Sequence, residues 1–85
     1  MKLKLKLRYF ASIREALGAG ESLDIEEGAT VATVRDVLIA RGGAHATVLA
    51  RGRALRSALD QVLCDESAVV ADGSELAFFP PVTGG

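Results

Sequence analysis

The residues best placed to do chemistry in this chain are its last three, Thr83-Gly84-Gly85, because the groupings that usually carry catalysis are missing elsewhere. No His/Cys or His/Ser pair sits in a catalytic motif, no glycine pattern could cradle phosphate, and no metal-ligand spacing occurs. His45 stands alone after Gly42-Gly43-Ala44 in an expected loop and reads as an ordinary histidine. At this glycine content a chain ends in Gly-Gly by chance about once in a hundred times. The dipeptide therefore gains weight only from what precedes it. Pro80-Pro81 restricts the direction in which the chain leaves its last strand, and two glycines without Cβ atoms then make a narrow end that can thread into a slot in another protein. A terminal carboxyl group ordinarily titrates at roughly pH 3.3 to 3.7, so that of Gly85 is an anion and a poor electrophile at neutral pH. Its chemistry would have to begin with activation by something else.

The elements that must position this end follow from periodicity. From Lys2 to Phe10, Leu3, Leu5, Leu7 and Tyr9 alternate with Lys4, Lys6 and Arg8, which predicts a half-buried strand. Ala11–Leu17 reads as a short helix ending at Gly18, and Gly18-Ala19-Gly20 as a turn into a second strand, Glu21–Ile25, antiparallel to the first. Thr30 is the expected N-cap of the main helix, with Val31, Val34, Val37 and Leu38 on one face and Arg41-Gly42-Gly43 closing it. Residues 44–57 fit a short helix, a loop or a frayed strand, with Arg51-Gly52-Arg53 as a turn. Asp60–Cys64 reads as a strand with Val62 and Cys64 on one face and Gln61 and Leu63 on the other. Asp72-Gly73-Ser74 is a turn, and Glu75–Phe79 a last strand with Leu76 and Phe78 inward, stopped by Pro80-Pro81. The domain thus spans 1–79, and 80–85 is an extended, flexible tail. Strand, strand, helix, strand, strand places one main helix on one face of a small mixed sheet, an α+β arrangement.

At 85 residues with a quarter of them charged, one soluble domain is expected, with no room for a deep enzyme cleft. A net charge of −1 argues against a field that gathers nucleic acid or anionic lipid. Cys64 is the single cysteine, so no internal disulfide forms; a reducing cytoplasm suits the chain, and on an apolar strand face Cys64 reads as a small hydrophobe. The alternating run Met1–Arg8 lacks the apolar stretch of a signal peptide, and no segment has the roughly 20 apolar residues of a membrane span. The row Lys2, Lys4, Lys6, Arg8 reads as a solvated face or as a docking surface for an acidic protein, with Arg51, Arg53 and Arg56 either adding to it or forming a polar turn. With Leu76 and Phe78 facing in, Phe79 must face out, and by the same alternation so must Leu63. Two large exposed apolar side chains on a small sheet point to a partner. Leu63, Phe79 and Pro80-Pro81-Val82 are therefore expected to form the apolar part of an interface.

The closing run Ala77-Phe78-Phe79-Pro80-Pro81-Val82-Thr83-Gly84-Gly85 resembles the C-terminal signature of the molybdopterin synthase small-subunit family. Chain length and element order are similar to that family from end to end. Tyr9-Phe10-Ala11 with Arg14-Glu15, Thr30-Val31, Gln61 and Asp72-Gly73 fit its pattern more loosely, and Gly42–Ser57 does not match it. The resemblance implies the ubiquitin-like β-grasp fold, with the first and last strands parallel neighbours. It also implies a non-catalytic sulfur carrier of a heterotetrameric synthase. An E1-like adenylyltransferase would use ATP to adenylate Gly85, and a sulfur donor protein would convert it to a thiocarboxylate. Val82, Thr83 and Gly84 would then follow Gly85 into the large subunit, where sulfur passes to a cyclic pterin precursor in molybdenum cofactor synthesis. No cofactor would be bound to the chain itself, and neither nucleic acid nor membrane would be a partner. A carrier for thiamine or cysteine synthesis, or a ubiquitin-like modifier or binding module, would share the fold and the Gly-Gly end.

Overall fold

The structure, a computed structural model, describes residues 1–81. The first strand, β1 (Lys2–Tyr9), pairs antiparallel with β2 (Gly20–Glu26), Leu3 lying opposite Ile25 and Leu5 opposite Leu23. As the alternation predicts, Leu5, Leu7, Tyr9 and Ile25 are buried. Between the strands lies α1 (Ala11–Leu17), which buries Ile13 and is closed by Gly18. Gly20 has no substitute, because a Cβ there would lie 2.1 Å from the Leu7 carbonyl oxygen across the pair. The close approach that starts the hairpin requires a residue without a side chain.

The main helix, α2 (Val31–Ile39), begins where the sequence places it: the Thr30 hydroxyl accepts from the Thr33 N–H at 3.3 Å. The next free N–H groups of that first turn, on Val31 and Ala32, donate to the Ala68 and Glu66 carbonyls. A short α3 (Gly43–Val48) follows, then β3 (Arg56–Leu59), β4 (Val62–Cys64) and β5 (Glu75–Phe79). The sheet order is β2-β1-β5-β3-β4. β1 and β5 run parallel at its centre, Leu7 beside Leu76 and Tyr9 beside Phe78. This is the β-grasp arrangement. Val31, Val34 and Leu38 from α2 pack with Leu49 on the Leu5, Leu7, Tyr9, Leu76 and Phe78 face to form the core.

Several expectations need correction. Val37 is 38% exposed, so the buried stripe of α2 is Val31, Val34, Leu38 and, unexpectedly, Arg35. The helix stops at Ile39, and Arg41 pairs with Glu21 rather than with the helix end. Gly42 and Gly43, both at positive φ, turn the chain into α3. Asp60 and Gln61 are not strand residues: both have positive φ and form the two-residue turn between β3 and β4. The Asp60 carboxylate accepts from the Glu75 N–H and the Ser74 hydroxyl, which ties that turn to the start of β5. Val62 does share the face of Cys64 by register, but it lies at the sheet edge and is 68% exposed.

Arg35, only 4% exposed, organises the segment that the sequence left open. Its Nε donates to the Leu49 carbonyl at 2.7 Å, and Nη2 donates to those of Ala50 at 2.6 Å and Arg53 at 3.2 Å. Nη1 meets the Glu66 carboxylate at 2.5 Å. Arg51 reaches the same carboxylate from the outside and also binds Asp36. Burial pushes the Glu66 carboxyl upward, but hydrogen bonds from Arg35 and Arg51 outweigh it and hold the group below the ordinary carboxylate range. A carboxyl depressed in the folded state stabilises above its unfolded value, roughly pH 4.3, and loses that contribution as pH falls through the folded value. Glu66→Gln should therefore cost roughly 1–2 kcal/mol near neutrality, less than the roughly 3–5 kcal/mol of a fully buried pair because a third of Glu66 remains in water. In urea titrations the gap between variant and parent should be widest above about pH 5 and close toward about pH 3.

Candidate functional site

The register fixes which side chains share the sheet face opposite the helices. Leu63 on β4 stands across from Ala58 on β3, Ala58 across from Ala77 on β5, and Ala77 beside Arg8 on β1. The next rung toward the chain end pairs Arg56 with Phe79. Leu63 is 69% exposed and Phe79 half-buried, so the alternation places Leu63 outward as expected and leaves Phe79 partly covered. Ala58 and Ala77 are small enough to form a floor between Leu63 and Arg8, and that floor is nearly closed to water. The result is a shallow apolar surface with an edge of cations, Arg8 and Arg56, on either side of β5.

The exit from β5 is defined as closely. The Phe10 N–H donates to the Phe78 carbonyl at 3.2 Å, just before Phe79 and the half-buried Pro80 and Pro81. The Arg8 guanidinium lies 5.6 Å from the centre of the Phe10 ring and 3.5 Å from Glu75, which fixes the β1 side of this exit. The structure thus brings Leu63, Phe79, Pro80 and Pro81 to one face and its rim. Val82, Thr83, Gly84 and Gly85 lie outside the described residues. The sequence reading missed Ala58 and Ala77, and named Arg56 only as an addition to the basic row. Ala77 was available from the alternation within Glu75–Phe79, but its small side chain gave no reason to mark it. Ala58, and the place of Arg56 on this face, needed β3, whose signal was too short to see.

The other candidates have structural roles. Lys2 pairs with Glu26, Lys4 with Asp24 and Arg8 with Glu75, so acidic neighbours answer most of the basic row, and the reading as a solvated face fits better than an acid-binding stripe. Cys64 is half-buried against the core, with its sulfur 3.8 Å from the Ser57 hydroxyl. His45 lies 3.4 Å from the Glu21 carboxylate, which also accepts from Arg41 at 2.6 Å and from the buried Tyr9 hydroxyl at 2.9 Å. Burial raises the Glu21 carboxyl, but these donors hold it below its ordinary value; burial, then the Glu21 contact, pushes the Tyr9 phenol up. This cluster joins β1, β2 and the α2–α3 junction and leaves no base facing a nucleophile. Among the described residues no group of three or more His, Cys, Asp or Glu side chains could hold a metal ion. Nor is any helix among them long and apolar enough to cross a membrane.

Comparison with known proteins follows the same lines. The ThiS family profile matches residues 7–85. The chain is 39% identical over 82 residues to the molybdopterin synthase sulfur carrier subunit of Haemophilus influenzae, covering 95% of this chain and 99% of the relative. It is 36% identical over 81 residues to the Escherichia coli protein of the same name, with the same two coverages. Among solved structures it resembles SAMP1 of Haloferax volcanii, with a TM-score of 0.76 at 26% identity over 96% of this chain and 99% of that one. In fold it also matches a chain of the complex of molybdopterin-converting factor subunits 1 and 2 from Helicobacter pylori, with a TM-score of 0.64 at 24% identity over 98% and 100%. The ubiquitin of Caldiarchaeum subterraneum matches at a TM-score of 0.61 and 18% identity over the whole of both chains.

If Leu63 is exposed for docking rather than for packing, its truncation should hardly touch stability. Leu63→Ala should change the unfolding free energy by less than about 0.5 kcal/mol, whereas Leu76→Ala, in the closed core, should cost about 2–5 kcal/mol. Paired urea titrations of the two variants check this.

Proposed function

The chain belongs to the ThiS family and, within it, to the molybdopterin synthase sulfur carrier subunits, and from that premise we propose that Gly85 is the atom-carrying site and the outer sheet face the surface that delivers it. The observation that carries this reading is continuity. The apolar face of Leu63, Ala58, Ala77 and Phe79 runs directly into Pro80-Pro81, with only Val82, Thr83 and Gly84 before Gly85. A partner that covers the face therefore sits within a few residues of the chain end. Each extended residue spans at most roughly 3.3–3.6 Å, so the four residues beyond Pro81 could span no more than about 14 Å.

In the proposed cycle the Gly85 carboxylate oxygen attacks the α-phosphorus of ATP in the site of an E1-like adenylyltransferase, releasing pyrophosphate and forming an acyl-adenylate. This step removes the negative charge that makes the free carboxylate a poor electrophile. Sulfide (HS⁻) delivered by a donor protein then attacks the acyl carbon, AMP leaves with the electron pair of the acyl–phosphate bond, and the thioacid loses its proton to give a thiocarboxylate on Gly85. The large synthase subunit takes the tail, and the thiocarboxylate sulfur attacks an electrophilic carbon of a cyclic pterin precursor and displaces an oxygen leaving group. Water cleaves the resulting thioester at its acyl carbon, which leaves the sulfur on the pterin and the carboxylate on Gly85. The chain contributes no acid or base to these steps. It contributes an end narrow enough to enter two different sites, held at a fixed offset from a docking surface. No bound cofactor takes part on this chain, and ATP belongs to the activating enzyme. The setting is the cytoplasm, where that nucleotide is at hand. The Helicobacter pylori relative was solved with subunit 2 of its converting factor, and the corresponding partner here is the large subunit of a heterotetramer.

Phe79→Ala should weaken association with the large subunit by about 2 kcal/mol, roughly thirtyfold in Kd, as measured by calorimetry. Deleting Gly85, or adding one residue after it, should abolish sulfur transfer in a reconstituted synthase assay. The melting temperature should hold within about 2 °C, since among the described residues every buried core residue lies at or before Phe78. Sulfur transfer by the truncated chain would remove Gly85 from its role.

A further inference from the structure

We infer that Arg35 is a positioning residue for docking: a single buried guanidinium holds both ends of the β3–β4 hairpin and so sets where Leu63 stands on the outer face. The inference rests on the docking reading above. β4 is the outermost strand of its side of the sheet and is held by three residue pairs to β3 alone. β3 is itself fixed by four pairs to β5, so what the short β3–β4 ladder leaves open is the tilt of β4, which falls to whatever grips the ends of the hairpin. The chain enters the hairpin through Arg53 and leaves it through Glu66. Arg35 holds the first by its carbonyl, at 3.2 Å, and the second by its carboxylate, at 2.5 Å. Two further bonds to the Leu49 and Ala50 carbonyls anchor the same guanidinium to the end of α3.

The planar fork of arginine makes this geometry possible. Nε, Nη1 and Nη2 point in fixed, different directions, so the angle between the entering and leaving segments is set by a rigid group; lysine would offer one compact charge and could not hold both. Arg35 belongs to α2, on the helix side of the sheet, and does not reach the face on which Leu63 stands. Its effect on a partner must act through the hairpin. Arg51 supplements the hold on Glu66 from a half-exposed position but donates to nothing at the Arg53 end.

The test uses the full-length protein and the molybdopterin synthase large subunit of the same organism, titrated by calorimetry at a temperature where circular dichroism shows every variant folded. Arg35→Lys should bind about tenfold more weakly although no contact residue has changed, and Leu63→Ala at least as weakly. The double variant should be no worse than Leu63→Ala by more than about twofold, because a misplaced Leu63 and an absent one lose the same contact. Hydrogen exchange should quicken at the Val62–Cys64 amides and remain unchanged in β1 and β2. If Arg35→Lys does not fold, Glu66→Gln, which frees only the leaving end of the hairpin, carries the same comparison. A folded Arg35→Lys or Glu66→Gln protein that binds within about twofold of the parent, or losses that simply multiply in the double variant, would overturn the inference. Full affinity in Leu63→Ala alone would instead overturn the docking reading beneath it.

Discussion

The parallel pairing of β1 with β5 places the beginning and the end of the domain side by side at the centre of the sheet, with Leu7 against Leu76 and Tyr9 against Phe78. A parallel pair cannot be closed by a tight turn, so the chain between must cross over, and α2 does so while covering the core face. With one face committed to the helices, the register sends Arg8, Ala77 and Phe79 to the other, where β3 and β4 extend the surface with Ala58 and Leu63. The direction in which the chain leaves β5 is a consequence of the same pairing. Phe10 holds Phe78 at the last ladder bond, and Pro80 cannot continue it.

A carrier needs its reactive end to be free for enzymes yet fixed relative to a recognition surface. Here these demands fall on different parts of the chain. The central strands, whose buried leucines and aromatics make the core, supply the fixed frame. In the proposed docking reading the short β3–β4 hairpin supplies much of the recognition surface, and beyond the pairing of β3 with β5 and the packing of Leu59 and Cys64 on the core it is held by polar ties. Arg35 and Glu66 make those ties, and among the described residues no buried side-chain polar atom lacks a partner. A partly buried ion pair of this kind adds little net stability compared with well-packed apolar side chains.

Much of this fold was legible from periodicity. The leucine and lysine alternation of β1, the Gly18–Gly20 turn, the Thr30 cap and the Pro80-Pro81 stop each encode a local constraint that the tertiary structure respects. The parallel β1–β5 pairing was not legible that way, since element order alone permits other α+β answers; it came from the family resemblance of the closing run. The hairpin was obscured for a different reason. Asp60-Gln61 makes its turn at positive φ without the glycine that usually announces one, and β4 has only three residues. Arg35 escaped notice because a charged residue within an apolar helical pattern is normally placed in water, and its partners are mostly carbonyls from a segment with no pattern of its own. Of the candidate site, the outward direction of Leu63 followed from alternation within a strand whose first residues were misplaced. Of the alanine floor beside it, Ala77 followed from the same kind of alternation without a reason to mark it, and Ala58 carried no signal because β3 was not seen.

The most direct test of the carrier chemistry is the intact mass of the protein after incubation with its adenylyltransferase, ATP and a sulfide source. Exchange of one carboxylate oxygen for sulfur predicts a gain of about 16 Da, localised by fragmentation to Gly85. An unchanged mass, with the protein folded and the activating enzyme active on another carrier, would contradict the account.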